Sequence, residues 1–196
     1  MLQHAEASLR ESGAEELSLR GLARDLGVSH AAPNRHFKDK QALLDALAVR
    51  GFARLGEEFG ATRAASAVEH MQELACRYLR FAIGNPALLH VMFSRKHSPT
   101  AGEQVAEAAY RAFAEPLAAI AAAQERGELP PGDPTHIGLS FLATMQGAAS
   151  LACSGFISET TAEAIAKEGA IRSIGEPGPA QPAERARSDD TAAPSR

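Results

Sequence analysis

The chain has 196 residues, room for one mid-sized domain or two small ones sharing a boundary. Hydrophobic residues make up 45%, which excludes wholesale disorder, and 41 Ala and 19 Leu against only 12 Val plus Ile point away from β-rich folds. A net charge of −4 excludes a surface that is basic throughout, though not a local basic patch that meets phosphates.

Two solitary cysteines, Cys76 and Cys153, form neither a Cys-x-x-Cys pair nor a disulfide framework, so a reducing, cytoplasmic setting is expected. Gln3, Glu6 and Glu11 interrupt any basic-then-apolar leader. Turn and cap signals divide the chain into about nine helices, an all-α pattern. The first is expected over residues 1 to about 12, stopped by Gly13. The second opens at Ser18 and closes at Gly27, and the third runs from residue 29 to about 37. Asp39 caps a long fourth helix reaching about residue 59, with Leu43, Leu44, Leu47, Gly51, Leu55 and Phe59 on one buried face.

After a break over residues 60–66, the spacing of Val68, Met71, Ala75, Tyr78, Leu79 and Ala82 marks a fifth helix. Asn85-Pro86 restarts the chain as a sixth, to about residue 93. Thr100 with Glu103 reads as a capping box for the seventh, which carries Pro116 in its interior and is expected to kink there. Asp133-Pro134 opens the eighth, and Thr160 with Glu163 offers a box for the ninth. From residue 173 to 196, four prolines among Gly, Ala and charges predict a disordered tail. Residues 134–158 carry no charge and are long enough to cross a bilayer. However, His136, Ser140, Thr144, Gln146, Ser150 and Ser154 would face lipid at a cost, so a buried or interface helix is expected and a membrane is not.

Residues 18–37 read S-L-R-G-L-A-R-D-L-G-V-S-H-A-A-P-N-R-H-F: two short helices joined through Gly27, with Leu19, Leu22, Ala23, Leu26, Val28 and Phe37 as internal packing. This is a helix-turn-helix pattern, whose second helix is free to enter the major groove of double-stranded DNA. That helix offers His30, Asn34, Arg35 and His36, with Ala31 and Ala32 small enough for close approach. Between residues 20 and 40, five basic residues (Arg20, Arg24, Arg35, Lys38 and Lys40) outnumber Asp25 and Asp39, a local balance of +3 on an acidic protein. Two helices around a glycine also occur as plain packing, which leaves an all-helical small-molecule carrier or interaction module as the alternative.

The run L-A-R-D-L-G-V-S-H-A-A-P-N-R-H-F-K-D-K-Q-A-L-L resembles the tetracycline-repressor (TetR) type of bacterial transcriptional regulator. The markers are Gly13, Ala23, Gly27, Val28, Ser29, His36, Phe37, Lys40 and Leu44, within a match over roughly residues 7–55. The resemblance implies an N-terminal three-helix DNA-binding domain (1–50) and a C-terminal helical effector-binding and dimerisation domain (51–172). It implies that Ser18 and Lys40 lie near phosphates and that Arg20 reaches DNA. His30, Ala31, Ala32, Asn34 and His36 would face the groove or backbone, and Ser29 joins this set as the residue opening the third helix. It further implies a homodimer through the last two helices; the charge-free run of the eighth helix suits that role, with Leu142 and Ala148 as interface positions, and simple core burial is the competing explanation. Such a regulator would be a repressor released from its operator by a small, largely apolar effector. Three departures stand out: Asn34 where the family usually has Tyr, Pro33 near the first turn of the recognition helix, and no basic arm before the first helix.

No catalytic constellation is present in the sequence. The seven histidines show no metal-ligand spacing, and neither a Gly-x-Ser-x-Gly nor a phosphate-cradling glycine loop occurs. No enzyme, metal or cofactor is therefore expected. Met71, Tyr78, Phe81, Met92, Phe93, Phe113, Phe141 and Met145 are candidate lining of an effector cavity, with plain core packing as the competing explanation.

Overall fold

The computed structural model describes residues 1–29 and 31–175. Among them are nine helices and no strand: α1 (Leu2–Glu16), α2 (Leu19–Asp25), α3 (Ala31–Asn34), α4 (Lys40–Gly60), α5 (Ala67–Gly84), α6 (Pro86–Lys96), α7 (Glu103–Glu125), α8 (Pro134–Cys153) and α9 (Glu159–Gly175). Residues 176–196, which make up most of the tail expected to be disordered, lie outside the described residues, as does His30.

Local chemistry sets most of the boundaries. Gly13 leaves helical geometry inside α1 (φ 78°, ψ 174°), where the sequence predicts the end of the first helix. Ser18 Oγ accepts from the Gly21 amide at 3.0 Å, Asp39 Oδ1 from Ala42 at 2.8 Å and Asp133 Oδ1 from Thr135 at 2.9 Å, each at its predicted helix start. Ser66 does the same for α5, accepting from Glu69 at 3.2 Å.

Other predicted features differ. The third helix is only four residues long rather than nine. Pro33 has no N–H to give, and the amides of Ala32, Arg35 and His36 bond three residues back, to Ser29, Ala32 and Pro33. The segment is therefore a chain of tight turns around one helical turn. Neither predicted capping box forms as expected. Thr100 bonds back to Ser98 Oγ through its amide at 3.3 Å and its hydroxyl at 3.0 Å, the Gly102 amide before α7 donates to Asp45 Oδ2 at 3.1 Å, and the Thr161 amide donates to Ser158 Oγ at 3.1 Å. Asn85 precedes α6 without capping it, since its Nδ2 donates to the Phe81 carbonyl and its Oδ1 accepts from Arg54.

Helix α4 is the spine, packed chiefly against α7 and α6, while α9 covers α5 and α8. Leu43, Leu47, Phe52, Leu55 and Phe59 on α4 meet Met71, Leu74, Tyr78 and Met92 in a continuous apolar core. The α4 glycines are close-contact sites: a Cβ at Gly56 would lie 3.2 Å from Ala112 Cα, and one at Gly51 would lie 2.5 Å from Met92 Sδ. Val28 and Val68, expected in the core, are exposed. Ala148, expected at a dimer interface, is buried inside the protomer because it lies on the inward face of α8, and Leu142 is half-buried. The outward face carries Ser140, Ala143, Gly147, Ser150 and Leu151. Among the described residues no helix is long and apolar enough to cross a membrane.

Two polar ties join the N-terminal helices and the spine to the rest. Glu6 on α1 pairs with Arg54 and, at 3.4 Å, with Arg50 of α4, and the Arg54 guanidinium lies 5.6 Å above the Phe81 ring. Deeper, Arg95 of α6 donates to Asp45 of α4 at 2.6 Å. Both side chains are less than a tenth exposed.

Candidate nucleic-acid interface and effector cavity

Helix α2 turns into α3 through Gly27, whose φ of 65° lets the chain reverse without a Cβ penalty. Among the described residues nothing lies within 4 Å of a Cβ placed there, so Gly27→Ala should cost only the left-handed strain. The expected loss is about 1–2 kcal/mol, read as a fall of a few degrees in melting temperature. Leu22 and Ala23 are buried beneath the turn, and Pro33 is buried beneath α3.

This packing leaves Ser18, Arg20, Ser29, Ala31, Asn34, Arg35 and His36 exposed, with Ala32 half-buried. The cations differ in their freedom. Arg24 is paired with Asp25 at 3.2 Å, and Lys40 Nζ donates to the Glu15 carbonyl at 2.6 Å, tying the first turn of α4 to the end of α1. Asp39 is occupied as the α4 cap. Arg20, Arg35 and Lys38 are exposed and form no ion pair among the described residues. Lys38 enters the predicted charge balance but not the predicted site. Its signal is its place between α3 and the α4 cap. Ser18 Oγ accepts as a cap, which leaves its O–H free to donate.

The eight residues expected to line one cavity are divided. Phe93, Phe113, Phe141 and Met145 do share a cavity of about 250 Å³ among α4, α5, α6, α7 and α8. Met71 lines a different one, of about 340 Å³, beside His70, Arg126 and Leu129. Tyr78, Phe81 and Met92 are packed in the core. The Tyr78 hydroxyl is buried with no hydrogen-bond partner among the described residues, and burial pushes its pKa up. Phe59, near the C-terminal end of α4, also lines the 250 Å³ cavity, so one helix runs from the cavity to Lys40. A wider groove of about 660 Å³ between α6 and α8 shares Phe93 and His97 with that cavity. No cluster of metal-ligating side chains occurs among the described residues.

Residues 1–47 match the profile of bacterial regulatory proteins of the tetR family, and residues 71–170 match that of the tetracyclin repressor-like C-terminal domain. A solved structure of a protein of unknown function from a Rhodococcus species is 37% identical, with a TM-score of 0.80, and the match covers 89% of this chain and 93% of that one. The TetR-family transcriptional regulator PfmR of Thermus thermophilus is 22% identical at a TM-score of 0.63, covering 88% of this chain and 96% of that one. A putative TetR-family regulator from Mesorhizobium loti shares the fold at 18% identity and a TM-score of 0.71, covering 88% and 92%. No curated protein matches the chain.

Proposed function

The chain belongs to the TetR family of bacterial transcriptional regulators and is a DNA-binding regulator, and from that premise we propose that it is a homodimeric repressor released from its operator by a small apolar effector. Residues 1–50 form the DNA-binding part and residues 51–172 the effector and dimerisation part, with α4 shared between them. The exposed basic surface of α2, α3 and the start of α4 is the observation that carries this reading. In it Arg20, Arg35 and Lys40 meet phosphates, and Ser18 donates its hydroxyl to one. Ser29, His30, Ala31, Ala32, Asn34 and His36 face the groove, where Asn34 can read adenine or donate to a phosphate. Lys40 has two donors left beyond its bond to Glu15. We add Lys38 to the phosphate contacts.

The two copies meet through α8 and α9, and the regulator works in the cytoplasm without enzymatic activity. Effector binding in the 250 Å³ cavity shifts α4, whose 21 residues span about 30 Å. In a dimer, half-sites lie about 34–36 Å apart per helical turn, so a shift of a few ångströms spoils simultaneous docking. Linkage makes operator DNA weaken the effector by the same factor.

Selection of bound duplexes from a random pool should return a palindrome, because a two-fold protein reads a two-fold site. On the selected duplex, Arg35→Ala, Lys38→Ala and Lys40→Ala should each reduce the slope of log affinity against log salt by about 0.9. A residue whose removal leaves the slope unchanged does not touch phosphate, and a pool that yields no enriched duplex overturns the surface assignment.

A further inference from the structure

We propose that the cavity among α6, α7 and α8 takes a small apolar molecule carrying one carboxylate, with Lys96 as the anchor of its headgroup. The inference rests on the effector-responsive reading above and specifies its ligand class.

The lining is mostly apolar: Phe59, Leu74, Ile120 and Phe141 are buried residues of the core and Phe113 is half-buried beside them. Among the described lining residues the polar exceptions are few, and Lys96 carries the fixed charge. Lys96 and His97 close the C-terminal end of α6, and Thr135 opens α8. Among the described residues no Asp or Glu lines the cavity. Among the described residues no carboxylate lies within ion-pair distance of Lys96, although it is half-buried. By contrast, the neighbouring Arg95 is engaged with Asp45 and Gln41. An ammonium beside an apolar pocket free of acidic groups is matched to an anion whose remainder is hydrocarbon. A volume of about 250 Å³ lies just under the roughly 300–1,000 Å³ of drug-sized sites, so the ligand is small. Tyr110, on the α7 side of the rim and away from the outward face of α8, is exposed, so the cavity opens to solvent there.

The placement also gives the headgroup a mechanical consequence. Lys96 and His97 follow Arg95 directly, and the Arg95 guanidinium spans from α6 to Asp45 and Gln41 in the first turns of α4. A carboxylate drawn to Lys96 thus pulls on the helix end that holds the DNA-proximal end of α4.

Calorimetric titration of the full chain with octanoate and with octanamide tests this. The two probes share a chain length and differ in charge. Octanoate should bind about 10–100-fold more tightly than octanamide, the range of one charge-assisted contact. Lys96→Gln should abolish that preference while leaving octanamide affinity within about two-fold. Equal affinity of the two probes for the wild type, or a preference that survives in Lys96→Gln, overturns the headgroup assignment and leaves an apolar effector site standing. Absence of binding by both probes, in protein that still binds its selected duplex, overturns the cavity as an effector site as well.

Discussion

Arg95→Met should cost about 3–5 kcal/mol of folding stability, read as a lower urea midpoint at fixed protein concentration. Arg95 and Asp45 are both buried, and their charges are mutually compensated: Nε donates to Asp45 Oδ1 at 2.6 Å and Nη1 to Gln41 Oε1 at 2.6 Å. Asp45 Oδ2 is held by the Gly102 amide at 3.1 Å, so the carboxylate cannot turn away to water. Removing the guanidinium leaves a buried anion with one amide for company, whereas the intact pair nearly breaks even against its own desolvation. The double variant Arg95→Met with Asp45→Asn removes both charges and keeps an acceptor for Gly102, so it should recover most of the loss. A double variant as unstable as the single one would show that shape at Arg95, rather than the stranded charge, sets the cost. The same cluster joins α6 and the start of α7 to α4, next to the surface proposed to face DNA. The refolded double variant should therefore bind operator normally but respond less to a ligand in the cavity.

That cluster also shows where sequence reading stops. Asp45 and Arg95 stand fifty residues apart, and nothing local marks either as a partner of the other. The starts of α2, α4 and α8 were legible because Ser18, Asp39 and Asp133 reach amides two or three residues away, a contact that needs no tertiary structure. The boxes at Thr100 and Thr160 failed where a serine two residues earlier was better placed: Ser98 engages both the amide and the hydroxyl of Thr100, and Ser158 caps α9 ahead of Thr160. The buried face of α4 followed from its period, as did the basic helix-turn-helix surface from its glycine and charges. The division of the eight cavity candidates was not legible, because Tyr78, Met92 and Phe141 have the same spacing signal whether they face a void or a neighbouring side chain.

Gly147→Glu should convert the protein from dimer to monomer without unfolding it. The outward face of α8 is uncharged, and Leu139, Leu151 and Phe156 are exposed along it and its following loop, Phe156 by 79%. Ile165 and Ile171 continue the apolar surface onto α9. Apolar surface on this scale, bare in the protomer, marks an association site. Gly147 is exposed, and among the described residues nothing within 4 Å would meet an added Cβ, so a side chain there costs them no packing. Glu is also the better helix former by several tenths of a kcal/mol. Two-fold symmetry places both copies of the substitution in one interface, where two unpaired carboxylates must be buried together. Sedimentation velocity at micromolar concentration should show a dimer for the wild type and a monomer of unchanged helicity for the variant. Operator affinity should fall about 10²–10⁴-fold, because the second half-site no longer gains from the first. A wild type that sediments as a monomer, or a variant that remains dimeric, would remove α8 from the interface.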